Sequence, residues 1–440
     1  MSQILIYATK ITPRLSYVAN YVLQASAGCT VVLTNEKAKF LTAAGIKLQY
    51  GEKKIFPDGF FLSAHTLLFE KEVHPFDVPV ARFFDSTALF PTAHPEADFP
   101  FDIFAAAFYL LTRYEEYLPG SRDVHGRFAG KASLAHQYGF LELPIIQMWT
   151  AHFLSALQKK YPEAEKPALS RFKFTPTYDI DIAWAYRRKG LVRTIGGLLK
   201  DLKNAQMSEV IHRLRVLNGQ AADPFAVYDH LENMHAKTDL PAVYFFLLAN
   251  RGKYDKNISP QDRELIRLVQ KIHQKNPVGI HPSYAAAEMP AKLPQEINRL
   301  QKITGGEVRK SRQHYLKLTF PDTYQNLLQC GIKEDYTMGY ADLPGFRAGT
   351  ALPFLWFDLS VNAVTDLTVF PFQVMDVTLK NYLQLSPLEA FAKIKYLWEQ
   401  TRAVGGHFIT LWHNSSFAPQ HGWTTEWQEV YTEVLRLGEG

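Results

Sequence analysis

The chain alternates short apolar runs with polar breaks, and the rhythm of this alternation changes part-way along it. In residues 1–170, apolar runs at 4–8 and 30–34 are typical of buried strands, with a helix-like stretch at 17–25 between them. This strand–helix–strand order predicts a small N-terminal α/β domain. Longer helices are expected to follow at residues 101–117 and 144–160.

Residues 161–169 combine two prolines with charged and small side chains, which is typical of a linker. We therefore place a domain boundary there and assign residues 171–440 to a second domain. In this second part, helical patterns such as 259–275 and 387–404 separate regular strand signals. The predicted strands are residues 171–181, 242–249, 278–281, 312–318, 367–372 and 407–412. Strand–helix alternation over roughly 250 residues predicts an α/β fold, a parallel (β/α) barrel preceded by the smaller α/β domain.

One segment interrupts this rhythm. Between residues 187 and 216 there are eight basic side chains and two acidic ones, Asp201 and Glu209. The pattern predicts a basic helical insertion near 187–220, after the first barrel strand. Its charge is compatible with a solvated helical face, or with contact to an anionic polymer or a membrane surface.

Composition narrows the class of protein. Hydrophobic residues make up 47% of the 440-residue chain and charged residues 21%, which is typical of a soluble globular protein. The net charge of +5 is too mild to indicate nucleic-acid binding. Two cysteines, Cys29 and Cys330, exclude a disulfide framework and a zinc finger. With neither a secretory leader nor an apolar run of roughly 18 residues, we expect a cytoplasmic protein.

The first predicted barrel strand ends in Thr-Tyr-Asp-Ile-Asp, residues 177–181. Because side chains alternate along a strand, Asp179 and Asp181 are expected to point the same way. Two carboxylates on one side repel each other unless a cation, a proton or an arginine lies between them. An isolated Asp-x-Asp is also common in loops and helix caps.

Two histidines lie in predicted strands further along the chain. His281 ends an apolar run that Pro282 terminates, and His314 lies in a segment whose alternate positions are apolar or basic. A neutral imidazole is a good ligand for a borderline divalent metal, although a structural histidine bonded to a backbone carbonyl fits the same pattern.

Two further residues complete the candidate site. Arg347 lies between glycines in Gly-Phe-Arg-Ala-Gly, where it could bind a carboxylate with both arms of its guanidinium or form a solvated turn. His413 ends the last apolar strand, at the same end of the sheet as Asp179, where a histidine suits general acid catalysis.

This order of two aspartates, three histidines and an arginine resembles the NodB-type polysaccharide deacetylases, carbohydrate esterase family four. The resemblance covers roughly residues 171–430. It implies a distorted parallel barrel and a divalent metal, usually zinc. It also implies that Asp181 and His281 are metal ligands, that Asp179 is the base, that Arg347 orients the base, and that His413 is the acid. The motif of the family that is hardest to locate is assigned to Asp376, which follows an apolar strand and could orient another catalytic group.

The sequence departs from this family at two positions. Ile180 separates the aspartates, which are usually adjacent, and Ala285 stands where the second metal histidine is expected. We assign that vacancy to His314. The resemblance thus predicts hydrolysis of an acetyl amide on an N-acetylated sugar or polysaccharide. A metal-dependent glycosyltransferase would use the Asp-Ile-Asp pair but not the histidines, and an inactive carbohydrate-binding relative would need no metal.

The first part of the chain has no assigned role. Its Arg113, Glu115 and Glu116 form either a structural ion-pair cluster or part of a site.

Overall fold

The computed structural model describes residues 3–162, 170–238 and 240–439. Its strands are β1 (Gln3–Ala8), β2 (Thr30–Thr34), β3 (Ile46–Gly51), β4 (Phe60–Ser63), β5 (Val80–Phe83), β6 (Ser86–Leu89), β7 (Lys173–Ile180), β8 (Val243–Phe246), β9 (Val278–Ile280), β10 (Lys310–Ser311), β11 (Glu334–Asp335), β12 (Phe354–Asp358), β13 (Ala363–Val369), β14 (Val374–Met375) and β15 (His407–His413). Its α-helices are α1 (Pro13–Ala19), α2 (Lys37–Thr42), α3 (Ile103–Leu111), α4 (Tyr114–Tyr117), α5 (Leu134–Gln137), α6 (Ile145–Lys160), α7 (Gly190–Lys203), α8 (Met207–Leu217), α9 (Tyr228–Thr238), α10 (Arg263–His273), α11 (Tyr284–Glu288), α12 (Leu293–Thr304), α13 (Asp322–Gln329), α14 (Pro387–Ala403) and α15 (Thr425–Arg436).

These strands form three sheets. A parallel sheet has the order β2–β1–β3–β4, and β5 pairs with β6 as an antiparallel hairpin. The largest sheet has nine strands in the order β12–β13–β11–β10–β9–β8–β7–β15–β14, and only β12 with β13 is antiparallel. The protein is therefore a mixed α/β fold built on parallel sheets.

The predicted closed barrel is not seen. No ladder joins the two ends of the nine-stranded sheet within the described residues. Instead, a short connection joins the two sides. Strand β13 pairs with β11, and β14, which follows β13 after four intervening residues, pairs with β15. The segment that contains β13 and β14 therefore spans the gap between β11 and β15. Strands β10, β11 and β14 are each two residues long, so they have too few backbone amides and carbonyls to form a continuous ring of paired strands.

Burial and backbone conformation explain why the central strands pair as they do. All four residues of β8 are apolar and buried, as expected for a parallel strand covered on both faces. Beside β7, the turn from α14 into β15 needs Gly405, which has a φ of +62°. A Cβ atom there would lie 1.9 Å from the carbonyl oxygen of Ser170, so only glycine allows this approach.

Three predicted elements differ from the observed ones. The helix expected at 101–117 is broken between α3 and α4, where Arg113 adopts a left-handed conformation to form buried ion pairs. The strand expected at 312–318 is wrong, because β10 ends at Ser311 and a 3-10 turn, His314–Leu316, follows. Its apolar alternation reflects burial of an irregular turn. The strand expected at 367–372 ends earlier, with β13 at Val369.

The two parts of the chain share one apolar core, which contains buried residues from Ile4 to Leu435. The predicted boundary at 161–169 falls outside the described residues apart from 161 and 162, and the division into two domains stays a prediction. Among the described helices, none combines the length and the apolar character needed to cross a membrane.

Candidate functional site

Polar side chains gather at one edge of the nine-stranded sheet, where neighbouring parallel strands end. This edge is the usual place for a site in such a fold, because loops from several strands meet there. The residues involved are Asp179 in β7, Asp181 directly after β7, His281 after β9, Arg312 and His314 after β10, Asp376 after β14, and His413 at the end of β15.

Both aspartates approach the same imidazole, as alternation along β7 predicts. The Nε2 atom of His281 lies 3.2 Å from Oδ1 of Asp181 and 3.7 Å from Oδ2 of Asp179. Asp181 Oδ1 is also 3.7 Å from Nε2 of His314. One donor atom each from Asp181, His281 and His314 lies within 4.8 Å of the others, so the three residues could hold a metal ion. His314 therefore lies where it could act as a third ligand, although the predicted strand around it is absent.

Each of these two histidines is held through its other ring nitrogen. Nδ1 of His281 lies 2.5 Å from the carbonyl oxygen of Arg312, and Nδ1 of His314 lies 2.9 Å from Oδ1 of Asp255. Since both partners are acceptors, each Nδ1 carries a proton, and each Nε2 presents its lone pair to the cluster when the ring is neutral. Contacts of this kind orient metal-binding histidines.

His413 has the same arrangement on the other side of the cluster. Its Nδ1 lies 2.9 Å from Oδ1 of Asp376, its backbone amide donates to Oδ2 of Asp376, and its Nε2 is 3.9 Å from Oδ2 of Asp181. Burial lowers the pKa of His413, but the charge and hydrogen bond of Asp376 outweigh burial and raise the pKa to about 10. A histidine that keeps its proton near neutral pH can act as a general acid.

The Asp181 carboxylate fits a cation. Its Oδ1 is buried without a hydrogen-bond partner in the described part of the chain, a costly situation that coordination would relieve. Burial raises the pKa of Asp181, but the imidazoles around it, His314 foremost, outweigh burial and hold the pKa well below its usual range. A carboxylate and two imidazoles form the mixed oxygen and nitrogen set that suits zinc.

Asp179 lies deeper than Asp181, with 3% of its side chain exposed against 31%. Its Oδ1 accepts a hydrogen bond from Nη1 of Arg312 at 3.0 Å, and the same Nη1 donates to the Thr177 hydroxyl at 2.6 Å. The guanidinium is fully buried and lies 4.6 Å from the ring centre of Phe245. Arg312 thus fixes the orientation of Asp179.

The predicted contact between Arg347 and Asp179 is absent, because Arg347 has another partner. Its Nε and Nη2 donate to the two carboxylate oxygens of Glu116 at 2.9 and 2.5 Å, and its Nη1 donates to the carbonyl of Gly339. Glu116 also binds Arg113, whose Nη2 reaches the Tyr340 hydroxyl. Arg347 therefore belongs to a buried ion-pair network that joins the first part of the chain to the segment between β11 and β12.

Two residues of this site, Arg312 and Asp255, escaped the sequence analysis. Arg312 had a visible signal, because it lies in a predicted strand only two residues before His314. The sequence signal at Asp255 was weaker, because this residue lies in an irregular segment after β8. Besides holding His314, it accepts hydrogen bonds from the amides of Tyr284 and Ala285 at the start of α11.

A pocket of about 350 Å³ opens over the cluster. Besides the polar residues, tyrosines and aliphatic side chains line it, among them Tyr254, Tyr315, Tyr382 and Leu411. The first part of the chain supplies one wall residue, Arg127. Its guanidinium donates to the Tyr315 carbonyl at 2.7 Å and to the Tyr382 hydroxyl at 3.0 Å.

Comparison with known proteins gives limited guidance. Residues 4–162 match a family model described as a family of unknown function, DUF7033. No curated protein matches the chain.

Solved structures with partial similarity include a Mycobacterium smegmatis protein provisionally assigned as a polysaccharide deacetylase. It has 15% identity and a TM-score of 0.39, and the match covers 63% of this chain and 88% of that one. A mutant CE4-family pseudoenzyme with restored enzymatic activity follows at 12% identity and a TM-score of 0.26, covering 61% and 69%. The 7,8-dihydropteroate synthase of Vibrio fischeri ES114 has 9% identity and a TM-score of 0.29, covering 63% and 95%. Similarity this low assigns no function, so the geometry of the site carries the argument.

Proposed function

We propose that this protein is a metal-dependent deacetylase that acts on an N-acetylated sugar or polysaccharide. One observation carries the proposal: a three-residue cluster suited to a cation lies between a carboxylate held by arginine and a histidine held by aspartate. An amide is inert, so its hydrolysis needs activation of the carbonyl, deprotonation of water and protonation of the leaving amine. The pocket offers a group for each task.

Asp181, His281 and His314 would hold the metal, for which we propose zinc. The chemistry that it supplies when bound is polarisation of the acetyl carbonyl and acidification of water. Because Nδ1 of each histidine is already engaged, Nε2 is the atom that each ring offers as a ligand. The ligand set thus comes from three strand ends that the sheet holds in register.

The remaining groups divide the proton transfers. Asp179 accepts a proton from the attacking water, in an orientation that Arg312 fixes through the hydrogen bond to Oδ1. Oδ2 of Asp179 makes no bond to Arg312 and stays available for this proton. His413 donates a proton from Nε2 to the leaving amine, while Asp376 holds Nδ1 and keeps the ring turned toward the pocket.

The walls of the pocket support a sugar as the substrate. Tyr254, Tyr315 and Tyr382 combine flat apolar faces with hydroxyl groups, a pairing that suits the two kinds of surface on a sugar ring. Ring faces can pack against the C–H groups of the sugar, while hydroxyls and Arg127 offer hydrogen bonds at the rim.

Two variants, at the two aspartates of the pair, test this proposal. We expect about one divalent metal per chain in the purified protein and acetate release from N-acetylglucosamine oligosaccharides. Asp181→Asn should lose metal and activity together. Asp179→Asn should keep the metal and lose turnover by roughly 100-fold or more, as expected when a general base is removed.

Metal content by elemental analysis and acetate release are measured on the same preparations. A protein that stays metal-free after incubation with zinc, cobalt and manganese would contradict the proposal and leave an inactive carbohydrate-binding protein. Loss of metal in Asp179→Asn with retention in Asp181→Asn would exchange the two roles.

A further inference from the structure

Helices α7 and α8, with the short turn between them, form a unit that we call the basic hairpin (residues 190–217). Nine of the 22 large apolar side chains that are exposed among the described residues lie in it, so they are concentrated rather than scattered. On α7 these are Leu191, Val192, Ile195, Leu199 and Leu202. On α8 they are Met207, Ile211, Leu214 and Leu217. Their exposed fractions range from 38% to 84%.

The side of α7 that faces the protein is polar, the reverse of an ordinary surface helix. Asp201 is the one buried residue of α7, and it binds Arg213 of α8 at 2.7 Å. The Arg213 guanidinium also packs on Gly197, where a Cβ atom would lie 2.7 Å from its Nη1. Within α7, the spacing of Leu191, Ile195, Leu199 and Leu202 places the apolar side chains on the opposite, solvent-facing side.

The charge beside this apolar surface is positive and unneutralised. Arg187, Lys200, Lys203 and Arg215 are exposed, and none forms an ion pair within the described residues. The two acidic residues are engaged in the hairpin's own packing, Asp201 with Arg213 and Glu209 with the Tyr186 hydroxyl. Exposed apolar side chains flanked by free cations are the signature of a helix that lies in the interface of an anionic membrane.

The basic hairpin is anchored next to the pocket. Asn414, which follows His413, donates to the carbonyls of Ile182 and Phe225, at the two ends of the insertion that contains the hairpin. From α7, Arg193 donates to the carbonyls of Lys256 and Asn257, and Lys256 lines the pocket. The hairpin is therefore anchored to chain that borders the candidate site.

We propose that the basic hairpin binds the surface of an anionic phospholipid bilayer. Of the partners compatible with positive charge, an anionic polymer gives no role to the nine apolar side chains, and a second copy would bring the same cations together. A bilayer satisfies both features, because its acyl boundary takes up the apolar side chains while its headgroups meet the cations. The pocket would then face sugars carried at the membrane surface, a consequence that rests on the proposed function.

Vesicle flotation with the full-length protein tests this. Wild-type protein should float with phosphatidylcholine vesicles that contain about 30% phosphatidylglycerol, and bind pure phosphatidylcholine far less. The triple variant K200Q/K203Q/R215Q should bind the anionic vesicles roughly 100-fold more weakly, because each lost cation weakens binding about fivefold. L191S/I195S/L199S/M207S keeps every charge and should also lose flotation. V361S/L388S removes two side chains that are 64% and 79% exposed elsewhere, and should float as the wild type does.

Acetate release from a soluble oligosaccharide is measured for all variants, so failure of vesicle binding and failure of the deacetylase proposal are distinguishable. Three results would overturn the inference. In the first, the wild type does not float with anionic vesicles. In the second, the serine variant binds as tightly as the wild type, which indicates a purely electrostatic polyanion site. In the third, sedimentation shows a dimer that depends on the hairpin and does not bind vesicles.

Discussion

Arg312 and Arg347, both buried, provide a matched pair of substitutions. Each pairs with a buried carboxylate, and the four side chains are at most 3% exposed. Each guanidinium also donates three hydrogen bonds: Arg312 to Tyr336, Thr177 and Asp179, and Arg347 twice to Glu116 and once to Gly339. Substitution of either arginine by lysine keeps the positive charge but removes the planar guanidinium, whose N–H groups donate several hydrogen bonds in a fixed arrangement.

The two lysine variants are expected to lose the same stability but to differ in turnover. A lysine replaces about one of the three hydrogen bonds, so each variant should lose about 2–4 kcal/mol of unfolding free energy, at about 1–2 kcal/mol per lost bond. Only Arg312 touches Asp179, the proposed base. Because a displacement of about 1 Å in an active site can cost about 100-fold, Arg312→Lys should lower kcat by roughly that factor. Arg347→Lys should change kcat per folded molecule by less than about threefold.

The assay combines urea unfolding with acetate release and metal content, each normalised to folded protein. Both variants should retain the metal, since His281 is held by the backbone carbonyl of Arg312 rather than by its side chain. If Arg347→Lys lowers kcat as much as Arg312→Lys does, the assignment of the orienting role to Arg312 is refuted. An unchanged kcat in Arg312→Lys at full metal content would refute it equally.

Two further predictions concern Asp255, which sequence reasoning missed, and Arg127 in the pocket wall. Asp255→Asn should weaken zinc affinity by about 10–100-fold, measured by competition with a chelating dye, because it replaces the carboxylate that holds Nδ1 of His314. A fall no greater than twofold would mean that Asp255 does not orient this ligand. Arg127→Gln should raise KM for an oligosaccharide several-fold with kcat and metal content unchanged, since Arg127 ties down the Tyr315 carbonyl and the Tyr382 hydroxyl in the pocket wall. Arg122→Gln, an exposed arginine of the same loop, is the control, and an equal KM in both variants would contradict the prediction.

Sequence reasoning located the parts of the site that depend on local pattern. An apolar run that stops at a polar residue marks where a buried strand ends, and parallel strands end at one edge. For this reason Asp181 and His281 could be named before the structure brought them together, whereas His314 was assigned to the ligand set to fill the vacancy at Ala285, on a predicted strand that does not form. The mixed α/β class with parallel strands followed from the same alternation.

Features that depend on a distant partner could not be predicted in this way. Arg347 was proposed because glycines flank it and because it resembles a family motif, but its role depends on Glu116, which lies 231 positions away and binds its guanidinium. Closure of the barrel was expected from strand–helix alternation, but pattern does not reveal that β10 and β11 are only two residues long. The role of Asp255 depends on its contact with His314, which is distant in sequence. Asp255 lies in an irregular loop, where the sequence has no hydrophobic periodicity from which a position could be predicted.

The Arg347–Glu116 pair also bears on how genes of this kind can be rearranged. A deletion that removed the region before the sheet would leave the Arg347 guanidinium without its carboxylate and the Tyr340 hydroxyl without Arg113. It would also take Arg127 away from the pocket wall. An orphaned buried charge costs several kcal/mol, so such a shortened gene would encode a poorly folding product unless position 347 changed at the same time. The first region of this chain therefore could not be removed as an independent cassette without a compensating change at position 347.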